Sequence, residues 1–284
     1  MERVLYGGAA VSELDKETEK RVGALKEKGI VPCLAVLRVG KDPGALSYER
    51  GTVKCCHRVG VEIKQVVLPA DTAQERLNET IGELNRDEKV HGVLILTPLP
   101  KTLDKKAACA ALAVEKDVDG VTAGAMAKVY SGTGEGFAPC TAEAVLEMLR
   151  FYRIGLSGKK VAVLGRSLVV GRPTAMLLMQ ADATVTLCHS KTENMAELVQ
   201  EADIVVVAIG KAESIGKEYF RPGQTVIDVG TNWSESRQKL VGDVKYDEAA
   251  PLVTAISPVP GGVGSITTSI LASHVVRAAE ASIE

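Results

Sequence analysis

Hydrophobic residues recur with two alternating periods along the first half of the chain, and these periods predict its secondary structure. Short runs rich in β-branched residues occupy residues 31–39, 63–68 and 93–97, which is typical of buried strands. Residues 73–85, between the second and third runs, carry apolar side chains at helical spacing. The order strand, helix, strand predicts a βαβ arrangement.

A second series of strand-like runs lies at residues 161–164, 184–187, 204–209 and 225–229. These runs are almost continuously apolar, as expected for parallel strands that are buried on both faces. The chain has 284 residues, about twice the length of a typical domain. We therefore predict an α/β protein with two α/β lobes around a cleft, the second a Rossmann-like, doubly wound parallel sheet.

The boundary between the lobes is predicted within residues 130–139, which are rich in glycine, serine and proline. The helical pattern at residues 141–153 would bridge the lobes. Near the end of the chain, an amphipathic stretch follows the segment SPVPGGVGS. Its periodicity is compatible with packing on either lobe.

Composition and charge exclude several classes of protein. The chain is 46% hydrophobic and 25% charged with a net charge of −2, so neither disorder nor a broad positive field for nucleic acid or anionic membrane is expected. The six cysteines form no CxxC pair, and we predict reduced, structural cysteines and no metal site. No leader pattern or membrane-length apolar segment is seen, so a cytoplasmic location is expected.

A candidate phosphate-binding loop follows the strand at residues 161–164. The sequence GRSLVVGRP and a helical pattern come next, which is the context in which backbone N–H groups receive a dinucleotide phosphate. The strict GxGxxG spacing fails because Ser167 and Val170 occupy two glycine positions. The alternative is a sharp strand-to-helix turn that needs only Gly165.

The end of the next strand points to the choice of cofactor. An NAD-binding protein usually places an acidic residue there, on the ribose hydroxyl. This chain reads His189, Ser190, Lys191 and Thr192. Arg166, Ser190 and Lys191 are available to a ribose 2′-phosphate, which favours NADP over NAD; the alternative for Ser190 and Lys191 is a solvated loop with a helix cap.

Nine segments extend these signals in order along the chain: LSYERGTVKCCHRVG, LTPLP, KDVDG, PCT, GRSLVVGRP, HSKT, VIDVGTN, VGDV and SPVPGGVGSIT. With them the chain closely resembles the methylenetetrahydrofolate dehydrogenase/cyclohydrolase family over nearly its whole length. The resemblance implies a homodimer. Each protomer would have a folate-binding catalytic lobe at residues 1–139, completed by a C-terminal helix at 265–284, and an NADP-binding lobe at 140–264.

The reaction implied by the resemblance is hydride removal from 5,10-methylenetetrahydrofolate by NADP⁺ in one-carbon metabolism. Tyr48 matches the family tyrosine that packs on the folate, and Asp119 matches the carboxylate that holds the pterin; both are candidate catalytic residues. The alternatives are a helix-surface aromatic and a turn-capping acid. Pro258 and Gly262 match backbone positions that line the folate cleft. Five residues match the family's cofactor contacts: Gly165, Arg166, Ser167, Ser190 and Thr231.

Two departures from the family pattern bear on its second activity, hydrolysis of the methenyl cation to 10-formyltetrahydrofolate. Bifunctional members carry a lysine four residues after the tyrosine, where this chain has Thr52. Lys54 points away from that helix position. The glutamine that supports the lysine is replaced by Leu96. A threonine hydroxyl is not a competent base near neutral pH, so we predict a dehydrogenase whose cyclohydrolase activity is weak or absent.

Three other functions compete with this prediction. A bifunctional enzyme is the first, if another group or water supports hydrolysis. A hydroxy-acid or shikimate-type dehydrogenase would require a lysine or histidine base at the hydride site, whereas the four histidines are expected to serve surface or packing roles. A non-enzymatic regulatory module would bind the dinucleotide without turning over any folate.

Overall fold

The computed structural model describes residues 3–283. In the first half of the chain, strands and helices alternate in this order: β1 (Arg3–Val4), α1 (Gly7–Glu27), β2 (Cys33–Val39), α2 (Pro43–Val59), β3 (Glu62–Leu68), α3 (Gln74–Arg86), β4 (Gly92–Ile95), α4 (Lys105–Ala111) and α5 (Ala123–Ser131). A 3₁₀ turn at Val114–Lys116 separates the last two helices.

The second half continues the alternation. Its elements are α6 (Cys140–Phe151), β5 (Lys160–Leu164), α7 (Gly171–Gln180), β6 (Thr184–Cys188), α8 (Met195–Glu201), β7 (Ile204–Val207), β8 (Thr225–Asp228), β9 (Asn232–Ser234), β10 (Lys239–Val241), α9 (Tyr246–Ala249), β11 (Ala255–Ile256) and α10 (Thr267–Ala281). Two more 3₁₀ turns lie at Lys217–Tyr219 and Val263–Ser265.

The chain divides into two compact units. The three-strand unit comprises residues 13–140 and 268–283, and the six-strand unit comprises residues 3–12 and 141–267. The start of the chain therefore departs from the expected division at 1–139, because β1 pairs in parallel with β11 through Arg3 and Ala255. Two residues are too few to show a strand period, so this pairing has no signature in the sequence.

The six-strand unit is built on a parallel sheet with the strand order β1-β11-β8-β7-β5-β6. The chain runs from β5 outward to β6 and then crosses back to β7, so the winding direction reverses between β5 and β7. All four residues of β7 are buried, which explains its continuous apolar run. In a doubly wound sheet, ligands bind outside the carboxyl ends of the strands at this reversal point.

A short antiparallel hairpin lies outside the predicted strands. It joins β9 to β10 and places Trp233 opposite Leu240. Each strand has three residues, so neither shows the alternation that sequence reasoning uses to find strands.

The three-strand unit contains a parallel sheet in the order β3-β2-β4. Its core on one side joins Leu37 of β2 to Leu77, Ile81 and Leu84 of α3. These three leucine and isoleucine positions are the ones that predict the helix at residues 73–85. Strand β4 ends at Ile95, which leaves Leu96 at the start of the following loop.

Helix α2 carries several of the candidate site residues, and both its ends are capped. Asp42 accepts a hydrogen bond from the Ala45 amide at 2.9 Å, which satisfies a first-turn N–H group. Gly60 ends the helix with a φ of 83°, a conformation that favours glycine. No helix among residues 3–283 is both long and apolar enough to cross a bilayer.

Candidate active site

The loop after β5 has room only for glycine at two positions. Gly165 has a φ of 117°, and a Cβ atom there would lie 2.0 Å from the Ala208 carbonyl oxygen. A Cβ on Gly171 would lie 2.0 Å from the Gly165 oxygen. The backbone of this loop therefore passes directly against Ala208, the residue after β7, before the chain enters α7.

Ser167 holds this loop in shape. Its Oγ accepts hydrogen bonds from the amides of Val170 at 3.1 Å and Gly171 at 3.3 Å. Arg172 donates from Nε to the Arg166 carbonyl at 3.1 Å. All three hydrogen bonds lie within the loop and the start of α7, so they stabilise the loop in this conformation.

Three exposed polar residues stand at the ends of neighbouring strands. Arg166 follows β5, and Ser190 and Lys191 follow β6, whose last residue Cys188 is in register with Leu164. The turn is fixed by the His189 amide, which donates to Thr192 Oγ1 at 2.9 Å. These strand ends thus present two cations and a hydroxyl, which are groups that can bind a ribose 2′-phosphate.

The remaining predicted contacts of the six-strand unit lie at the ends of β8 and β11. Thr231 is exposed in the segment after β8. Gly262 packs on Pro258, where a Cβ atom would lie 2.4 Å from the proline oxygen. The Gly7 amide donates to the Gly261 oxygen at 2.8 Å, which ties this turn to the beginning of α1.

Two buried carboxylates, Asp228 and Asp243, were not among the predicted site residues. Asp228 accepts hydrogen bonds from the amides of Gly230 at 3.0 Å, Asp243 at 3.1 Å and Val244 at 2.9 Å. Burial raises the pKa of Asp228 to about 7, while these amide donors oppose the rise. Asp243 lies in VGDV, one of the nine segments that carry the family resemblance, but the sequence alone gives this aspartate no particular role.

Tyr48 and Asp119 both belong to the three-strand unit. Tyr48 is half-buried on α2, and Asp119 is half-buried in the turn after the 3₁₀ segment. Burial raises the pKa of Asp119 to about 6, and a hydrogen bond from the Cys140 thiol acts in the opposite direction. Asp119 can therefore change its charge within the physiological range of pH.

The turn that carries Asp119 is anchored by its neighbours. Asp117 accepts from the amides of Val121 at 3.0 Å and Thr122 at 2.7 Å, so the turn-capping role belongs to Asp117. The Val118 carbonyl accepts from the Cys140 thiol at 3.3 Å and contacts His274 Nδ1 at 2.9 Å. His274 is fully buried, in keeping with its expected packing role.

The positions that differ from the bifunctional pattern are both buried. Thr52 is 0% exposed, and its Oγ1 has no hydrogen-bond partner among the described residues. Leu96 is buried, with its amide bonded to the Leu37 oxygen at 2.9 Å. Lys54 is exposed, so the helix turns it away from the side on which Thr52 lies.

Two charged side chains of α2, Glu49 and Arg58, are already paired. Glu49 is buried and accepts from Arg38 Nε at 2.7 Å and from Gln65 Nε2 at 2.8 Å. Arg58 donates from Nε to Asp15 at 2.7 Å. Among residues 3–283, no three or more His, Cys, Asp or Glu side chains are grouped so that they could hold a metal ion.

Comparison with known proteins identifies the family. The tetrahydrofolate dehydrogenase/cyclohydrolase catalytic domain matches residues 5–119, and the NAD(P)-binding domain of the same family matches residues 139–283. The chain belongs to this family. The match confirms the family resemblance, the oxidoreductase class and a nicotinamide dinucleotide as cofactor.

Curated relatives and solved structures match this chain over nearly its full length. The bifunctional protein FolD of Carboxydothermus hydrogenoformans is 45% identical over 277 residues, covering 97% of this chain and 96% of that protein. The bifunctional FolD structure of Campylobacter jejuni has a TM-score of 0.96 at 36% identity, covering 99% of each chain. The enzyme of Trypanosoma brucei, solved with NADP cofactor and an inhibitor, has a TM-score of 0.93 at 35% identity, covering 100% of this chain and 99% of that one. These structures confirm the predicted α/β fold.

Proposed function

We propose that this protein is an NADP-dependent 5,10-methylenetetrahydrofolate dehydrogenase with weak or absent cyclohydrolase activity. The observation that carries the second half of the proposal is Thr52, a buried hydroxyl without a partner where bifunctional members have a lysine. Leu96 replaces the supporting glutamine with an apolar group. Both changes replace polar groups that serve the cyclohydrolase activity in the family, and neither lies in the dinucleotide-binding loop after β5.

Dehydrogenation needs little acid–base chemistry from the protein. Bound NADP⁺ would supply the hydride acceptor, and the nitrogen lone pairs of the folate would stabilise the cation left at the bridging carbon. The chain then contributes proximity and orientation. Tyr48 would pack its ring on the pterin, and Asp119 would accept paired hydrogen bonds from the aminopyrimidinone edge. Pro258 and Gly262 would supply backbone to the same substrate.

The residues of the six-strand unit fit NADP. The loop after β5 passes Ala208 too closely for any side chain at Gly165, and it leads into the N-terminus of α7, where the helix dipole favours an anionic pyrophosphate. Arg166, Ser190 and Lys191 would bind the 2′-phosphate, and Thr231 lies in the segment after β8. The exposed cations at the ends of β5 and β6 support NADP over NAD.

Methenyl hydrolysis requires a water activated beside a cation, and we infer that none of Thr52, Glu49 and Lys54 acts as the base that activates it. A threonine hydroxyl such as that of Thr52 is not a competent general base near neutral pH. Glu49 is committed to Arg38 and Gln65, and Lys54 is exposed on another side of α2. These contacts support the loss of the second activity.

The alternative is a bifunctional dehydrogenase and cyclohydrolase. It is favoured by the names of the relatives, since the FolD proteins of Carboxydothermus hydrogenoformans and Campylobacter jejuni are both described as bifunctional. If this alternative holds, a group other than Thr52 or Leu96 activates the water.

One experiment separates the two functions. The protein is mixed with 5,10-methylenetetrahydrofolate and NADP⁺, and methenyl absorbance is followed against an enzyme-free control. We expect methenyl to accumulate and then decay at the uncatalysed rate. The double variant Thr52→Lys/Leu96→Gln should accelerate the decay, whereas Lys54→Thr, a matched change on the exposed side of α2, should leave it unchanged. Rapid conversion to 10-formyltetrahydrofolate by the unmodified protein would overturn the proposal.

We also propose that the enzyme acts as a homodimer, as the family resemblance implies. Sedimentation equilibrium over a hundredfold range of concentration tests this directly. A single species with the mass of one chain throughout that range would remove the dimer from the proposal.

A further inference from the structure

One carboxylate joins the loop after β7 to the segment after β8. Asp243 is 0% exposed. Its Oδ2 accepts from the amides of Ile209 at 2.6 Å and Gly210 at 2.9 Å, both in the loop after β7. Its Oδ1 accepts from the Lys211 amide at 2.9 Å and from Asn232 Nδ2, after β8, also at 2.9 Å.

These four donors use the hydrogen-bonding capacity of a carboxylate fully, because each oxygen offers two lone pairs. The surrounding backbone also fits this side chain closely. A Cβ atom on Gly230 would lie 2.3 Å from Asp243 Cγ, so the segment that leads to Thr231 rests directly on the carboxylate. The spacing between the two loops therefore depends on Asp243.

Both loops lie where the cofactor is expected. Ala208, at the start of the first loop, is the residue that a Cβ on Gly165 would strike. Thr231, the predicted cofactor contact, stands between Gly230 and Asn232 in the second loop. The loops follow β7 and β8 at their carboxyl ends, beside the reversal of winding between β5 and β7.

We propose that Asp243 is a positioning residue for the NADP site, whose carboxylate sets the spacing of the loops after β7 and β8. It does not itself contact the reacting atoms. Its effect is to form the binding surface before the cofactor arrives, which lowers the entropy cost of binding. This inference rests on the proposed function, since it assumes that the six-strand unit binds NADP.

A pair of substitutions of opposite polarity separates positioning from mere stability. Asp243→Asn replaces a carboxylate oxygen that accepts hydrogen bonds with an NH₂ group, which would face N–H donors. Gln224→Glu makes the opposite change, because it replaces an NH₂ group with an oxygen that would face carbonyl oxygens. Gln224 Nε2 donates to the oxygens of Val199 at 2.7 Å and Ala202 at 2.9 Å. Gln224 is also 0% exposed. It lies just before β8, at the amino ends of the strands, whereas Asp243 acts at their carboxyl ends.

The readouts are the NADP⁺ dissociation constant by titration calorimetry, the kcat and KM values, and the urea midpoint. Asp243→Asn should weaken NADP⁺ binding about tenfold or more, the worth of one hydrogen bond to a charged group, with the KM for folate unchanged. Gln224→Glu should lower the urea midpoint and leave the NADP⁺ dissociation constant unchanged. Asn232→Ala, which removes one of the four donors, should weaken NADP⁺ binding by a smaller factor and serves if Asp243→Asn does not fold.

The proposed function and the positioning role would be overturned by different results. If the unmodified protein does not bind NADP⁺, the proposed function fails. If it binds NADP⁺ and Asp243→Asn and Asn232→Ala bind equally well, or if Gln224→Glu weakens NADP⁺ binding as much as they do, Asp243 has no positioning role.

Discussion

Replacing Thr52 with valine should stabilise this protein. The side chain is 0% exposed and its Oγ1 has no hydrogen-bond partner among residues 3–283. Burying a hydroxyl without a partner costs about 1–3 kcal/mol. Valine has the same shape without the hydroxyl, and the two residues differ little in helix propensity, so we expect the free energy of unfolding to rise by about 1 kcal/mol or more.

Thr80 is the matched control. It lies on α3 in the same unit, is 3% exposed, and donates from Oγ1 to the Arg76 oxygen at 2.8 Å. Thr80→Val removes that hydrogen bond and should lower the free energy of unfolding by about 1 kcal/mol. The two variants should therefore differ by about 2 kcal/mol, roughly a thirtyfold difference in the folding equilibrium constant.

Urea unfolding followed by far-UV circular dichroism measures this difference. Trp233, the one tryptophan of the sequence, belongs to the six-strand unit, so its fluorescence reports that unit separately. Initial rates of methylenetetrahydrofolate oxidation should be the same for Thr52→Val and the unmodified protein. If Thr52→Val loses stability or dehydrogenase activity, the hydroxyl has a partner. The conclusion that the Thr52 hydroxyl neither forms a hydrogen bond nor takes part in the reaction would then be wrong.

Two further predictions concern charged groups in the three-strand unit. Burial raises the pKa of Asp119 to about 6, so its carboxylate is lost as the pH falls through that value; the KM for folate should rise about tenfold per unit below it. Initial rates at saturating NADP⁺ from pH 5 to 8 measure this effect, which Asp119→Asn should abolish, and a flat profile for the unmodified protein would contradict it. Arg38→Leu should cost about 3–5 kcal/mol because it leaves the Glu49 carboxylate buried without its cation, while Arg38→Leu/Glu49→Leu should restore most of the stability. Urea midpoints compare the two variants, and equal losses in both would contradict the reasoning.

The central parallel strands are predictable from sequence because burial on both faces demands an unbroken apolar run, whereas the edge strands β3 and β6 are largely exposed. Strand β7 is the clearest case, with four consecutive buried Ile and Val residues. Strand β1 is not predictable, because its two residues become a strand only by pairing with β11, about 250 positions later. Short strands of this kind depend on long-range contacts.

The candidate site also has residues whose placement the sequence predicts and residues whose roles only the structure shows. The placement of Arg166, Ser190 and Lys191 follows from the ends of two predicted strands, since parallel neighbours end at one edge of a sheet. The separate duties of Asp117 and Asp119 do not follow, because the two acids stand two residues apart in one motif. Only the hydrogen bonds that the amides of Val121 and Thr122 donate to Asp117 show which acid caps the turn.

The sequence by itself determined the alternation of strands and helices, the glycine loop and the replacements at Thr52 and Leu96. These features are local, because each depends on residue types within one strand, turn or helix. The tertiary structure decided that Thr52 is buried without a partner and that Asp243 joins loops from two strands. Both depend on which distant backbone and side-chain groups surround a residue, and hydrogen bonding and burial are set by those neighbours.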